Sequence, residues 1–206
     1  MDPSTRAVAE PTTACACPTT GEPVCRCLNG GPQSYPALHP SRCTTLRKLF
    51  TDHAVYTNKY TIAAIENSGS AKALLDRLLE NQQEIGAYIG QFLGKSIGNE
   101  IAAVLTEHIQ LAGEALKVLI NKQSLTPVMV KITANVAKFA TAMSVLTGNL
   151  ADHKKWYDEF LHHNELVLEI AKAHLIGLYM RENELYDGYY THMLHFSDMM
   201  CVDLLS

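Results

Sequence analysis

After Pro40 the chain has one proline, Pro127, and after Cys43 one cysteine, Cys201. Helix breakers are therefore scarce over most of its length. Charge is sparse as well: 18% of residues are Asp, Glu, Lys or Arg, the net charge is -4, and the Lys and Arg residues are scattered. Phosphate neutralisation needs clustered cations, so nucleic acid is not expected as a direct partner. No alternating apolar and polar run competes for a strand assignment. No Gly-rich phosphate loop, Ser-His-Asp arrangement or paired-carboxylate motif has the context its chemistry requires, which leaves little room for kinase or hydrolase activity. Met1 to Ala16 lacks the apolar core of a signal peptide and is interrupted by Arg6 and Glu10, so an intracellular location is expected. The most apolar stretch, Val128 to Leu150, is broken by Lys131 and Lys138. It reads as a buried or amphipathic helix, and no transmembrane segment is expected.

What is present divides into two regions. Seven of the eight prolines lie between Pro3 and Pro40, and five of the six cysteines between Cys15 and Cys43. A segment rich in proline and poor in large aliphatics cannot pack a core. Residues 1–43 are therefore expected to form an extended Pro/Cys-rich tail, and residues 44–206 a helical bundle domain.

Within the second region apolar residues recur every three or four positions. Leu46, Leu49, Phe50, Tyr56, Tyr60 and Ala64 form one stripe, and Leu74, Leu75, Leu78, Ile85, Ile89 and Phe92 a second that stops at Gly94. Others run from Ile101 to Leu119, from a Thr126-Pro127 N-cap pair towards Gly148, from Trp156 to Ile170, and from Tyr189 to Leu204. Short connections imply antiparallel neighbours. The expected fold is all-α, an up-and-down antiparallel bundle of five or six helices, with either a break or a kink between Gly177 and Asn183.

Histidines fall at similar depths in these helices: His53 in the first, His108 in the third, His163 in the fifth and His192 in the sixth. Asn81 and Gln82 occupy the same depth in the second. Antiparallel helices of similar length bring their midpoints together, so these side chains should share a polar layer. Two readings follow. The histidines are neutral core residues that fix helix register through hydrogen bonds, or His53, His108, His163 and His192 are ligands for zinc or iron. A di-iron centre asks for two Glu-x-x-His motifs, and this chain has one, Glu159 to His162. Glu107 and Glu114 lie off the apolar stripe, and Asp52 faces another side of its helix.

In the tail, Cys15-Ala-Cys17 and Cys25-Arg-Cys27 form two C-x-C pairs, and Cys43 follows. Zinc sites more often space paired thiolates by two to four residues. Free thiols, disulfides and a tail-borne zinc site all remain open for Cys15, Cys17, Cys25, Cys27 and Cys43.

The stretches LRKLFTDHAVYTNKYTIAAI, LLENQQEIG, LTEHIQLAGEAL, FLHHNEL and YDGYYTHMLHFSDMM, in that order, resemble a family of uncharacterised, mostly bacterial helical-bundle proteins. The family pattern reads LRxLWxEHxxWT, LLxNQxDIG, LLxxHIxxA, MHLxxT and YDxxHxHILxMADML. The resemblance spans about Thr44 to Leu205 and takes in His53, Asn81, Gln82, Gly86, His108, His163, Tyr186, Asp187, His192, Asp198 and Met199. Phe50 and Tyr56 stand where the pattern has tryptophan, and Asp52 where it has Glu. The resemblance implies a helical fold and no activity; it extends more weakly to bundles of large icosahedral DNA viruses.

The leading expectation is a non-enzymatic structural subunit of a larger assembly. The tail, residues 1–43, would tether neighbouring protein subunits, and the viral resemblance would make the chain a capsid-associated protein of a virion. The first alternative is a His-rich metal- or cofactor-binding bundle with redox or sensing activity. A thiol redox protein using the C-x-C pairs is the third.

Overall fold

The structure is a computed structural model that describes residues 15–16, 26–27, 40–148 and 152–205. It divides into two units, Met1–Ala37 and Leu38–Ser206. In the first, residues 15–16 and 26–27 pair antiparallel with Cys15 opposite Cys27 and Ala16 opposite Arg26. The expectations for Cys17 and Cys25 lie outside the described residues.

The second unit is all helical: α1 (Pro40–Ile65), α2 (Ala71–Leu93), α3 (Lys95–Ile120), α4 (Thr126–Leu146), α5 (His153–Leu175) and α6 (Tyr179–Leu205). Helix α1 begins at Pro40, so Cys43 belongs to a helix and not to the tail with which its sequence neighbours group it. Proline is tolerated there because the first N–H groups of a helix have no partner within it.

Three helices ending at the same pole of the bundle stop in the same way. Asn67, Lys122 and Gly177 adopt φ of 53°, 55° and 74°. The amides after them reach back five residues, from Ser68 to Ala63, Gln123 to Val118 and Leu178 to Ala173, which satisfies terminal carbonyls. The left-handed turn at Gly177 makes the α5–α6 junction a true break, and six helices result. At the other pole Gly94, with φ 102°, is the single residue between α2 and α3. The Asp152 side chain accepts from the Lys154 amide at 2.9 Å and caps α5. Thr126 itself is the first residue of α4 and not its cap. Its amide donates instead to the Ser124 hydroxyl at 3.3 Å.

Each helix packs on its sequence neighbours, and α1 packs on α6 to close the ring. Helices α1, α3 and α5 alternate around that ring, run in the same direction and also touch one another across the middle. Below their midpoints an aromatic cluster fills the core. Phe139 and Phe160 have ring centres 4.4 Å apart, Trp156 meets Phe196 edge-on at 5.3 Å, and Phe50 meets Phe196 at 5.6 Å. Each buried side chain of this size contributes about 1.5–3 kcal/mol.

Two further contacts fix the frame. A Cβ added to Gly98 would lie 2.4 Å from the Gly86 carbonyl oxygen, so α2 and α3 approach backbone to backbone at these glycines. Cys43 and Cys201, 158 residues apart, form a disulfide joining the start of α1 to the end of α6. Helix α4 is the one described helix long and apolar enough to pass for a membrane span by length and composition. Its Val128, Ile132, Val136, Phe139, Ala140 and Met143 are buried in the core, and the described residues contain no clear transmembrane segment.

Candidate metal centre

Because α1, α3 and α5 alternate in the ring, a residue at mid-height on the inner face of each must point at the other two. Those residues are His53, His108 and His163. Each offers a ring nitrogen, and the three nitrogens lie within 4.8 Å of one another. The ring centres are 5.2 Å apart for His108 and His163, 5.5 Å for His53 and His163, and 6.4 Å for His53 and His108. Imidazoles that share one tetrahedral ion at about 2.0–2.1 Å hold their ring centres roughly 5 Å apart. Two of the three pairs are near that spacing, and the third, at 6.4 Å, must close by about 1.4 Å.

All three rings are buried, and burial disfavours the charged imidazolium. It pushes His53 down to about 4, against a small opposing contribution from the Asn81 amide, and His108 down to about 3, with His53 adding to the effect. His163 is held well below its ordinary value by burial first and by the neighbouring histidines second. At neutral pH the cluster is therefore three uncharged imidazoles, the form that binds a metal without first losing a proton.

Helix α2 supplies the outer support. Gln82 Nε2 lies 2.8 Å from the Leu78 carbonyl, 3.1 Å from His53 Nδ1 and 3.2 Å from Asn81 Oδ1. The Asn81 amide donates to the Leu49 carbonyl at 3.0 Å. A carbonyl can accept and cannot donate, so the Leu78 contact fixes which end of the Gln82 amide faces His53. His53 Nδ1 is then an acceptor, and the proton of the neutral ring sits on Nε2. The Gln82 Oε1 and His163 Nδ1 atoms are buried with no hydrogen-bond partner, a cost of about 1–3 kcal/mol each. They are two of ten buried side-chain atoms of this kind among the described residues.

A small cavity of ≈ 10 Å³ lies among His53, His108, His163 and Gln82, walled by Phe50, Leu105, Phe160, Met193 and Phe196. That is room for about one water-sized sphere. The cavity surface is almost wholly apolar, so the ring nitrogens hardly line it; three histidine nitrogens are by themselves the protein ligand set of zinc sites that keep an open coordination position. The residues present fit a single ion.

The expected polar layer is thus partly realised. Asn81 and Gln82 join it through His53, but His192 stands outside the triad. Its ring centre is 6.0 Å from that of His163, and its Nδ1 side faces Glu159, with the carboxylate Oε2 at 3.6 Å. The carboxylates set aside in the sequence stay outside too: Glu107 binds Lys138 at 2.9 Å and accepts from Asn135, Glu114 binds Lys131 at 2.6 Å, and Asp52 binds Lys48 at 2.6 Å. Cys43 is paired with Cys201, 158 residues later in the chain. Sequence reasoning missed a second buried polar pair, His174 Nδ1 to Glu182 Oε2 at 2.8 Å. Both residues sit beside the Gly177 turn, and the eight-residue spacing across a helix break gives no periodic signal.

No known protein family, curated protein or solved structure matches the chain. The chemistry of the site therefore carries the functional argument.

Proposed function

We propose that the bundle holds one transition-metal ion at His53, His108 and His163, with an open position suited to sensing or redox use. The observation that carries this reading is the convergence of three buried, uncharged ring nitrogens within 4.8 Å, each from a different helix. Histidines kept merely for helix register would pair with the polar groups around them. His163 Nδ1 has no such partner.

The donor set contains no carboxylate, so an ion would keep its full charge in an apolar surround. That favours a divalent ion carrying hydroxide, or a monovalent ion, over a bare divalent one. Imidazole suits zinc and copper, and the Met193 thioether on the cavity wall suits copper(I). The test is calorimetric titration of the metal-free full chain with zinc(II) and, anaerobically, with copper(I). One ion should bind per chain, and both His108→Gln and His163→Gln, checked for helicity by circular dichroism, should lose it. Failure of the folded wild-type chain to bind either ion contradicts the proposal.

A role as a subunit of a larger assembly is supported on the described residues by one surface. Ile176, Leu178, Tyr179 and Met180 at the α5–α6 turn are 71%, 53%, 60% and 83% exposed, and neighbouring exposed apolar residues mark contact sites. Sedimentation of the full chain, compared with a Leu178→Ser, Met180→Ser variant, tests this reading. Association lost in the variant supports it, and a wild-type monomer at all concentrations opposes it.

A further inference from the structure

We propose that Glu159, His162 and His192 form a second, outer site for a divalent first-row ion at the α5–α6 surface, placed as the entrance to the buried triad. Helices α5 and α6 bring its residues together, though less closely than the triad, the one such group among the described residues whose donor atoms already lie within 4.8 Å of one another, and the entrance role rests on the metal reading above.

Glu159 and His162 are one helical turn apart on α5, so their side chains leave the same face. That face meets His192 on α6. The rings of His162 and His192 are 5.1 Å apart and nearly perpendicular, close to the roughly 5 Å that two imidazoles on one tetrahedral ion require. Glu159 Oε2 lies 3.6 Å from His192 Nδ1. This is long for a direct hydrogen bond, yet close to the roughly 3.3 Å between two donors that share a zinc ion. The Glu159 and His162 side chains are 29% and 55% exposed, and that of His192 is 8% exposed. The three residues thus span the boundary between solvent and core. His162 Nδ1 lies 3.9 Å from Glu165 Oε2, too far for a hydrogen bond.

Unlike the triad, this group includes a carboxylate, which offsets part of the charge of a divalent ion and suits it to capture from water. His192 then links the two sites. Its outer nitrogen faces Glu159, while its Nε2 is buried and has no partner. The His163 ring, 6.0 Å away, also carries an unpartnered buried nitrogen. The rings of His162, His192, His163 and His108 are spaced 5.1, 6.0 and 5.2 Å from surface to core. The 6.0 Å step exceeds the roughly 5 Å of two imidazoles on one ion, so the His192 ring must move towards His163 to pass an ion on.

The experiment is a zinc titration of the nitrogen-15-labelled full chain, with the imidazole nitrogens followed by NMR in wild type, His162→Ala and Glu159→Gln. In wild type, His162 and His192 should shift first and His53, His108 and His163 later. In both variants the outer shifts should be lost or weakened. The triad should then fill at least tenfold more slowly and to the same final occupancy. His162 and His192 signals that never respond overturn the outer site. Triad filling in His162→Ala at the wild-type rate overturns its role as entrance. Outer signals that respond while the triad stays empty support the outer site and sink the buried centre, so the two proposals fail separately.

Discussion

Gln82 Nε2 lies 3.1 Å from His53 Nδ1, and this contact sets the tautomer of the one triad histidine with a side-chain support. With Nδ1 accepting, the ring proton sits on Nε2, the nitrogen left for an ion. Coordination through Nε2 moves that proton to Nδ1, which then needs an acceptor. A half-turn of the Gln82 amide brings the unpartnered Oε1 to that place, at the cost of the Nε2 contacts to the Leu78 carbonyl and Asn81 Oδ1. Gln82→Glu should therefore tighten zinc binding, and Gln82→Leu should weaken it by about 10- to 100-fold. Calorimetry on the two variants checks this, and equal affinities would count against a supporting role.

Acid should unfold the protein. In the unfolded chain the histidines titrate near 6.5, and in the folded chain His53 and His108 titrate at about 4 and about 3. Between those values the unfolded state binds more protons, so stability is fully present above pH 6.5 and falls as the pH drops towards 4. Each such group removes about 1.4 kcal/mol per pH unit. With His163, also depressed, the loss is roughly 4 kcal/mol per unit, against a typical margin of about 5–15. Urea titrations at pH 7.5, 6 and 5 should show this slope, and saturating zinc should steepen it because protons compete for the same nitrogens.

Gly98→Ala should destabilise the fold by about 1–3 kcal/mol or more. The new methyl would meet the Gly86 carbonyl at 2.4 Å and the Gly90 Cα at 2.8 Å, and backbone atoms cannot rotate away. Since Gln82 and His108 sit on these two helices, the change should also lower metal affinity. Gly69→Ala, where a Cβ meets nothing within 4 Å, serves as the control in the same thermal and binding assays.

Reduction of the Cys43–Cys201 bond, or Cys43→Ser with Cys201→Ser, should lower the urea midpoint. Closing a loop of this length is worth about 5 kcal/mol in the chain-entropy account, and measured values are often smaller. The helices should persist, because Leu46, Leu49, Phe50 and Leu204 stay buried beside the bond. Far-ultraviolet dichroism distinguishes that outcome from a loss of helix.

Period and breakers made most of the helical frame readable. The stripes through Leu46 to Ala64 and Leu74 to Phe92 are α1 and α2, and Gly94 and Gly177 fall where helices end. The histidine layer was legible because equal depth in a bundle implies a shared cross-section. His192 departs from it because depth fixes height and not rotation: its ring turns to the α5–α6 seam. The Cys43–Cys201 bond was hidden by composition, since Cys43 resembles its tail neighbours in sequence while its backbone is helical. The Gly86–Gly98 approach was equally hidden, because one helix's periodicity says nothing of how near its partner lies.

The central claim is tested most directly by anomalous diffraction at the zinc absorption edge, from crystals of the full chain grown with one equivalent of zinc. A single strong peak among the ring nitrogens of His53, His108 and His163, about 2.0–2.1 Å from each, is the predicted result. A fully occupied map with no peak among those rings, or with zinc at other residues alone, would contradict it.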